Sequence, residues 1–580
     1  MVVVVVGVVM NMQERQLVLT YSSFCLMIKR LSWVTHRLIS LTIHSLNDID
    51  WRCWKLIRSN ESCGCFVPAL NATMTPSWMV CTFFLCMLEA SCTDIPRYQG
   101  NQRMRSTRKP HIVFILADDL GWNDVSWNNP DVITPNLQSL ASSGVILNQS
   151  YVQAICSPSR AAYLTGLYPY HTGFQKYVVA PGAAEFLPLK YTLLPEKLKE
   201  RGYSTHLVGK WHLGSCRVDA TPTLRGFDSF FGCYSAMIDY FTKRLPRFPV
   251  PGANITLPDA YDLREGLDVF YSPPTEYTTD LFTQRAVEVI QEHDEDTPMY
   301  LSLHYTAPHY PLQVPDRYLD FYPNVTDVAR RTYLAMVTAM DEGIGDVITA
   351  LKDKGIFDDT IIVFTSDNGG IPGLGGASNY PLRGGKISYY EGGVRSPTLV
   401  HSPNFISEPG RVSEDLFHIV DWFPTFLAAA GDKVTGSGLD GQNQWAMLSR
   451  GSRGRRREFV YNIVDSSING GSQYVMRWEQ YKLIEGDAGG LIPDASRPPG
   501  GVASTCPTRP ICDCELYDLK DDPTESNDLV CDKPLLVRQL YLRLNILKAS
   551  QVPSLLDFPS EVVPASAPSK NNGTVNYGWC

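Results

Sequence analysis

The stretch His111-Ile-Val-Phe-Ile-Leu-Ala117, followed at once by Asp118-Asp119, decides the fold of this chain of 580 residues. A continuous apolar run of this length is typical of a β-strand that is buried on both faces. A second run, Thr360-Ile-Ile-Val-Phe-Thr-Ser366, has the same pattern and ends in Asp367-Asn368-Gly369. Such strands alternate with amphipathic helices along the chain. The predicted fold is therefore α/β, with a large, mixed, mostly parallel sheet flanked by helices on both faces.

Polar side chains follow both strands at the carboxyl end. In an open parallel sheet ligands bind beyond these ends. We therefore expect Asp118, Asp119, Asp367 and Asn368 to lie together. Three carboxylates and one amide form an all-oxygen ligand set, which suits Ca²⁺ or Mg²⁺ rather than zinc. Taken singly, each motif is equally compatible with an ordinary turn.

A third stretch, Cys156-Ser-Pro-Ser-Arg160, lies between a strand-like run, Tyr151 to Ile155, and a helix-like run, Ala161 to Leu167. Ser157 is a candidate N-cap, and Pro158 is a candidate first helical residue. The amides of this helix start, together with Arg160, predict a small electropositive spot suited to an anion. In a secreted protein, the alternative for a lone cysteine is one half of a disulfide.

Cationic and imidazole side chains lie in loops beyond further strand-like runs. Ser204 to Lys210 is one such run and leads into His212, and Met299 to His304 is another and leads into His309. Lys386 ends the segment N-Y-P-L-R-G-G-K, just before E-G-G-V-R. We expect His206 and His304, which lie inside strand patterns, to be structural. The candidate site residues from these loops are Lys210, His212, His309 and Lys386.

Together these motifs resemble the sulfatase family, in the family's order, from about residue 109 to about residue 529. The segments C-S-P-S-R, G-K-W-H-L-G, A-P-H-Y-P-L, R-G-G-K and E-G-G-V-R carry the resemblance. Within the family they look most like the arylsulfatases, and among these the N-acetylgalactosamine 4-sulfatases of the arylsulfatase B type. The resemblance implies a formylglycine-dependent, type I sulfatase with an alkaline-phosphatase-like α/β domain and a smaller C-terminal domain of antiparallel sheet plus helix.

The same resemblance implies a mechanism for sulfate ester hydrolysis. Formylglycine-generating enzyme would oxidise Cys156 to formylglycine, whose hydrate would be the nucleophile. One Ca²⁺ would be bound by Asp118, Asp119, Asp367, Asn368 and the modified Cys156. Arg160 and Lys210 would hold the formylglycine and the sulfate, His212 would assist the hydrate, and His309 and Lys386 would contact the sulfate and the leaving oxygen. The substrate would be a sulfated sugar, such as the N-acetylgalactosamine 4-sulfate of glycosaminoglycans, or an aryl sulfate.

Two other functions stay open on the sequence. One is a phosphoester or phosphonate hydrolase of the same superfamily, which Cys156 and the single oxygen-rich metal set disfavour. The other is a non-catalytic, sugar-binding relative, which would be expected to have lost a motif residue. A net charge of −9 gives no general attraction for anions, so nucleic acid is not an expected partner and the substrate must be attracted locally.

The first hundred residues do not fit the α/β pattern. The apolar start, Met1 to Val6, is too short to span a bilayer, and stable membrane insertion is not expected. An apolar core from Trp78 to Leu88, with small residues after it, predicts a signal peptide over 74–92. We interpret residues 1–73 as a gene-model extension, with a genuine disordered or membrane-associated segment as the alternative. Residues 93–108 would be a linker.

Secretory entry agrees with four glycosylation sequons beyond the predicted signal peptide and with the use of cysteine. The sequons are at Asn148, Asn254, Asn324 and Asn572. We expect a disulfide framework whose pairing stays open, among Cys216, Cys233, Cys506, Cys512, Cys514, Cys531 and Cys580. Zinc binding by Cys506, Cys512 and Cys514 is an alternative. The expected location is the secretory pathway, either lysosomal or extracellular.

The remaining boundaries follow composition. A catalytic domain is predicted over 109–450, with helices at Thr278 to His293, Asp327 to Lys354 and Ser413 to Ala430. The basic run 451–457 is expected to be a solvated linker. Alternating strands and a helix from about Lys533 to Ser550 predict the C-terminal subdomain, 458–551. The Pro- and Ser-rich tail, 552–580, is expected to be flexible.

Overall fold

The computed structural model describes residues 109–246, 259–433, 438–467, 470–490, 511–556 and 567–580. The predicted extension, signal peptide and first linker lie outside these residues, as do Asn254 and Cys506. Within the described ranges, no helix combines the length and the apolar character needed to cross a bilayer.

Two sheets are formed by the first twelve strands. The strands are β1 (His111–Ala117), β2 (Val145–Leu147), β3 (Ser150–Tyr151), β4 (Ser204–Lys210), β5 (Ser229–Cys233), β6 (Arg264–Glu265), β7 (Asp268–Val269), β8 (Met299–His304), β9 (Thr360–Ser366), β10 (Leu399–His401), β11 (Arg411–Ser413) and β12 (Phe417–His418). The large sheet has ten strands in the order β11-β2-β10-β9-β1-β8-β4-β5-β6-β7, and β12 pairs with β3 separately.

The centre of the large sheet is parallel, as the apolar runs predict. β1 lies between β8 and β9 and pairs with both in parallel. His111 is opposite Thr360 and Ala117 is opposite Ser366, so the two strands end together. The amide of Asp367 donates to the carbonyl of Ala117 at 3.1 Å, which continues the ladder into the polar segments. The carboxyl ends of β1 and β9 therefore bring their carboxylates to one edge of the sheet.

Helices cover both faces of this sheet. They are α1 (Pro135–Ser142), α2 (Cys156–Thr165), α3 (Pro169–Thr172), α4 (Leu194–Lys199), α5 (Thr278–Glu292), α6 (Val328–Asp353), α7 (Glu391–Val394), α8 (Trp422–Ala429) and α9 (Trp445–Arg450). Alternate residues of β1 face opposite sides: Phe114 stacks on Tyr163 of α2 with ring centroids 4.0 Å apart, whereas Val113 and Ile115 join the core under α5 and α6. The predicted helices at α5 and α6 are confirmed, and Asp327 caps α6 by accepting from the amide of Arg330 at 2.7 Å.

A smaller antiparallel sheet follows, as predicted. It contains β13 (Glu458–Val464), β14 (Gln473–Trp478), β15 (Tyr481–Gly486) and β16 (Cys514–Asp518), in that order, and α10 (Pro534–Lys548) packs on it. Its inward-facing residues Phe459, Ile463 and Leu483 belong to the same hydrophobic cluster as Phe114 of β1. The small sheet is thus joined to the larger domain by a shared core.

Local predictions are wrong in two segments of the chain. Ser413 to Ala430 is not one helix: Ser413 ends β11, Phe417–His418 is β12, and only α8 is α-helical. From Leu416 to Leu427 the run is buried throughout, and periodicity alone does not separate buried strands from a buried helix. Ser157 is not the N-cap of α2 and Pro158 is not its first residue, because the helix already begins at Cys156 and Ile155 holds the cap position. The strand-like run before it is also shorter than expected, with pairing only at Ser150–Tyr151.

The basic linker and the tail are more firmly held than expected. Arg456, predicted to be solvated, is 1% exposed and donates from Nε to Asp421 at 2.7 Å and from Nη1 to the hydroxyl of Tyr168 at 2.9 Å. In the tail, the amide of Val552 donates to the carbonyl of Tyr170 at 2.9 Å, and Leu556 is fully buried. The described parts of 552–580 are therefore anchored rather than flexible.

Among the residues that the structure describes, four cysteines form disulfides, so the predicted framework is confirmed in part, whereas Cys233 is a buried free thiol. Cys216 pairs with Cys580, and Cys512 pairs with Cys514. The zinc alternative is wrong for the last two, because their thiols are already joined. Cys156 is a buried free thiol, so it is not half of a disulfide.

Candidate active site

The site lies at the carboxyl ends of β1, β4 and β9, against the first turn of α2. Cys156 is the first residue of that helix, and its Sγ atom lies 3.6 Å from Oδ1 of Asp118. Ligand atoms of Asp118, Asp119, Cys156 and His309 all lie within 4.8 Å of one another, and all four residues are buried. The motifs that are far apart in sequence thus meet in one pocket.

Arg160 and Lys210 bind the carboxylates on one side of this pocket. Arg160, one turn along α2 from Cys156, donates to Oδ2 of Asp367 from Nε at 3.1 Å and from Nη2 at 2.8 Å. Lys210, the last residue of β4, donates from Nζ to Oδ2 of Asp118 at 2.6 Å. Nη1 of Arg160 donates to the carbonyl of Lys210 at 3.0 Å, which ties the two cations together.

Asp119 gathers the groups on the other side. Its Oδ1 accepts from Nζ of Lys386 at 2.7 Å and from Nδ2 of Asn368 at 2.7 Å. Its Oδ2 lies 3.5 Å from Nε2 of His309. Asp119 has φ of 63°, an uncommon conformation for a residue with a side chain, and such strain is concentrated at functional sites.

His212 is held just behind Cys156. Its carbonyl accepts from the hydroxyl of Ser157 at 2.8 Å, and its Nε2 lies 3.1 Å from the carbonyl of Val179. Its Nδ1 is buried and has no hydrogen-bond partner among the residues described. Like Asp119, it has a positive φ, 59°. The ring is therefore fixed with one nitrogen left for a further partner.

Burial and neighbouring charges together shift the pKa values of Cys156, Asp367 and Asp118. Burial raises the pKa of the Cys156 thiol to about 12, although Lys210 and Lys386 oppose this. Such a thiol stays protonated and is a poor nucleophile at neutral pH. Burial also raises the pKa of Asp367, and the facing charge of Asp118 adds to it. For Asp118, burial acts in the same direction, but Lys210, His309 and Arg160 together hold its pKa below the ordinary value.

The pKa values of both histidines of the site are lowered. Burial lowers the pKa of His309, and the charge of Lys386 lowers it further, although Asp119 opposes both. Burial and Lys210 lower the pKa of His212 well below its ordinary value. In the site as described, both rings are therefore neutral at neutral pH and can each donate one hydrogen bond and accept another.

The donor set fits a hard divalent cation. Carboxylate and amide oxygens are preferred by Ca²⁺ and Mg²⁺, and Oδ1 of Asn368 is buried with no hydrogen-bond partner in the described chain. Three carboxylates, of Asp118, Asp119 and Asp367, face three cationic side chains, of Arg160, Lys210 and Lys386. A bound divalent cation would leave this pocket positive, which suits an anionic ligand.

Comparison with known proteins identifies the family. Residues 110–432 match the family model described as Sulfatase. Arylsulfatase J of Mus musculus is 38% identical over 494 residues, which are 80% of this chain and 80% of that protein. The chain belongs to the sulfatase family. Human arylsulfatase A is 32% identical over 483 residues, which are 80% of this chain and 92% of arylsulfatase A. This sulfatase is a sulfuric ester hydrolase of the arylsulfatase type.

A solved structure agrees with the sequence comparisons. Ps i-CgsB, crystallised in complex with k-i-k-neocarrahexaose, is 30% identical and superimposes with a TM-score of 0.65. The match covers 77% of this sulfatase and 94% of Ps i-CgsB.

The structure brings every predicted site residue of this sulfatase into or against the pocket, and it adds supporting residues that the sequence did not indicate. His304, expected to be purely structural, lies with Nδ1 3.4 Å from Nη1 of Arg160 and 3.1 Å from the carbonyl of Lys210. The hydroxyl of Ser159 donates to the carbonyl of Asp367. His304 ends β8 beside β1 and β4, and that position was the one signal in the sequence that could have marked it. His206, by contrast, contacts Ser204 and Ser229 and is structural as expected.

Proposed function

We propose that this sulfatase hydrolyses sulfate esters of sugars through Cys156 oxidised to formylglycine, with one Ca²⁺ bound at the carboxyl ends of β1 and β9. The observation that carries the proposal is the placement of Cys156 with Asp118, Asp119 and His309, their ligand atoms within 4.8 Å of one another. A thiol with a pKa of about 12 is ill suited to act as a thiolate, which supports its conversion to another group.

The cation, when bound, would polarise the sulfate oxygens and the nucleophile. The formylglycine hydrate would offer two hydroxyls. One would attack sulfur, and the other would lose its proton and re-form the carbonyl, which expels the sulfate. Asp118, Asp119, Asp367 and Asn368 would hold the cation. Arg160 orients Asp367, and Lys210 and Lys386 place positive charge where negative charge gathers during transfer.

His309 and His212 serve proton transfer in this proposal. Nε2 of His309 lies 3.5 Å from Oδ2 of Asp119, and Nδ1 donates to the carbonyl of Tyr310 at 2.6 Å, so the neutral ring carries its proton on Nδ1. Nε2 would first have to gain a proton before it could pass one to the leaving oxygen. Nδ1 of His212, which has no partner among the described residues, can accept a proton from the hydrate.

The substrate proposed is a sulfated sugar, and N-acetylgalactosamine 4-sulfate is the first candidate, with aryl sulfates as surrogate substrates. The two disulfides fit a route through the secretory pathway, where formylglycine-generating enzyme would modify Cys156. Lysosomal or extracellular residence would follow from that route.

The test is the turnover of 4-methylumbelliferyl sulfate and 4-methylumbelliferyl phosphate by wild type, Cys156→Ser and Cys156→Ala. We expect wild type to prefer the sulfate. Cys156→Ser should lose turnover, and its active-site peptide should gain about 80 Da, because a serine can take up a sulfuryl group but has no second hydroxyl with which to expel it. Cys156→Ala should show neither turnover nor adduct. Preference for the phosphate, or full activity in Cys156→Ala, would contradict the proposal.

A further inference from the structure

The loop that carries Lys386 rests on the small antiparallel sheet. We call residues 383–390 the Lys386 loop. The guanidinium of Arg383 lies 3.7 Å from the ring centroid of Tyr390, and the hydroxyl of Tyr390 donates to Oε2 of Glu515 on β16 at 2.9 Å. The Lys386 loop is therefore tied to the small sheet at its end.

Ile387, directly after Lys386, has a backbone conformation that a β-branched residue rarely adopts. Its φ is 72°, and strain of this kind persists only where the surrounding structure holds it. The amide of Ile387 donates to the carbonyl of Ala154 at 2.7 Å, and Ala154 lies two positions before Cys156. Ile387 thus ties the Lys386 loop to the segment that leads into the position of the nucleophile.

The residues after β15 hold Ile387 from the small sheet. Gly489 forms an antiparallel bridge with Ser388, and the amide of Tyr389 donates to the carbonyl of Ala488 at 2.7 Å. Gly489 has a φ of 78°, and a Cβ atom there would lie 2.3 Å from the carbonyl oxygen of Ile387. Only glycine permits this close approach of two backbones. The small sheet therefore packs directly against the strained residue of the Lys386 loop.

The side chain of Tyr389 gives the loop a second support. Its hydroxyl accepts from Nδ2 of Asn462 on β13 at 2.5 Å, and both residues are buried. On the other side of the loop, Nζ of Lys386 donates to Oδ1 of Asp119 at 2.7 Å. The position of this ammonium group thus depends on contacts with a sheet that supplies none of the candidate site residues.

We propose that Gly489 and Tyr389 are positioning residues, which hold the strained backbone of Ile387 so that the ammonium group of Lys386 stays in the active site. A charge stabilises a transition state only when it is already in place, and a small displacement of it lowers the rate steeply. The inference rests on the proposed function, because it assigns to the small sheet a part in placing charge for sulfuryl transfer.

The test measures kcat and KM for 4-methylumbelliferyl sulfate in Gly489→Ala and Tyr389→Phe. The added Cβ forces Gly489 and Ile387 apart, so we expect kcat of Gly489→Ala to fall roughly tenfold or more. KM should stay within about twofold of wild type, because the lost interaction is one made in the transition state. Tyr389→Phe loses only one hydrogen bond and should lower kcat roughly threefold.

Gly355→Ala is the matched control. Gly355 follows α6 and has a φ of 77°, but no neighbouring atom of the described chain lies within 4 Å of an added Cβ. The substitution therefore introduces the same backbone strain without a collision. It should lower the thermal midpoint and keep the wild-type kcat.

A double-mutant cycle tests whether Gly489 acts through Lys386. In Lys386→Ala, assayed at high enzyme concentration, the further change Gly489→Ala should lower kcat by less than about twofold, because the group that it positions is already absent. An equal fall of kcat in both backgrounds would assign Gly489 a general structural role and would overturn the inference. If Gly489→Ala does not fold, Tyr389→Phe takes its place in the cycle, and its smaller fall should likewise disappear in Lys386→Ala.

The outcomes separate this inference from the proposed function. A wild type that does not cleave the sulfate ester would count against the proposed function itself. An active wild type, together with wild-type kcat in both Gly489→Ala and Tyr389→Phe, would overturn the positioning role alone.

Discussion

Arg160 donates from both Nε and Nη2 to the same oxygen, Oδ2, of Asp367, and neither side chain is exposed to solvent. This leaves Oδ1 of Asp367 facing the amide of Asp119 at 3.3 Å. Arg160 therefore neutralises one carboxylate of the proposed metal site while leaving its second oxygen toward the other proposed ligands.

Replacing Arg160 should destabilise the protein as well as inactivate it. Arg160→Ala leaves Asp367 as an unpaired buried charge, and breaking a buried pair in this way costs about 3–5 kcal/mol. Arg160→Lys keeps a charge but loses the second donor to Oδ2, so its stability should lie between those of wild type and Arg160→Ala. Thermal unfolding midpoints measure this, with Arg217→Ala as control, because Arg217 and its partner Asp219 are exposed. An unchanged midpoint in Arg160→Ala would contradict the pairing described here.

Removing the bound cation should lower both activity and stability. We expect EDTA to reduce the thermal midpoint and Ca²⁺ to restore it, because a ligand that binds only the folded state stabilises it. Asn368→Ala should reduce the bound metal measured by elemental analysis, whereas Asn368→Asp, which keeps an oxygen at that position, should retain it. Asn404→Ala, whose side chain donates to Asp359 at the opposite end of β9 from the site, is the control. Full calcium content in Asn368→Ala would refute the role assigned to its Oδ1.

The contact between the small sheet and α7 should make stability depend on pH. Lys482 on β15 lies between Glu391 and Glu525, with Nζ 3.1 Å and 2.8 Å from their Oε1 atoms, and all three are buried. Burial raises the pKa of Glu525 from 4.5 to about 7; Lys482 opposes this shift and the charge of Glu391 adds to it. A carboxyl whose folded pKa is raised binds more protons when folded, so its contribution to stability is present below pH 4.5 and is lost as the pH rises to about 7.

The size of that loss is up to about 3 kcal/mol, from 1.4 kcal/mol per unit of pKa difference. Glu525→Gln mimics the protonated carboxyl and should remove the dependence. We therefore expect the thermal midpoint of Glu525→Gln, relative to wild type, to be higher at pH 8 than at pH 5. Glu200→Gln, at an exposed position, should give the same difference at both pH values. A difference for Glu525→Gln that does not change with pH would sink this explanation.

Local pattern was enough to predict the parts of the fold that are fully apolar or regularly amphipathic. β1 and β9 were predictable because seven consecutive residues of each are buried, and α6 because its buried face repeats at helical spacing. The segment Ser413 to Ala430 was predicted wrongly because its central part, 416–427, is buried throughout and so lacks that periodicity. The small sheet was predictable because apolar and polar residues alternate along its strands. The pairing of Arg456 with Asp421 was not, since the two residues are 35 positions apart in the sequence.

Site residues were predictable where a motif carries them and not where only packing does. The proposed metal ligands Asp118, Asp119, Asp367 and Asn368 follow strands, so their convergence could be expected from topology. His304 lies within a strand, and its contact with Arg160 depends on the neighbouring order of β1, β8 and β4, which no local pattern encodes. The joining of Cys580 to Cys216 spans 364 residues and is likewise a property of the folded chain alone.

The central claim is tested most directly by the mass of the peptide that contains Cys156. No lysine or arginine lies between Lys109 and Arg160, so chymotrypsin, which cleaves after Tyr151 and Tyr163, gives the more useful fragment. The protein should be expressed through a eukaryotic secretory pathway together with formylglycine-generating enzyme. We predict a mass about 18 Da below that of the thiol peptide, the change from –CH₂SH to –CHO. A peptide with an unmodified or disulfide-bonded Cys156 would contradict the account.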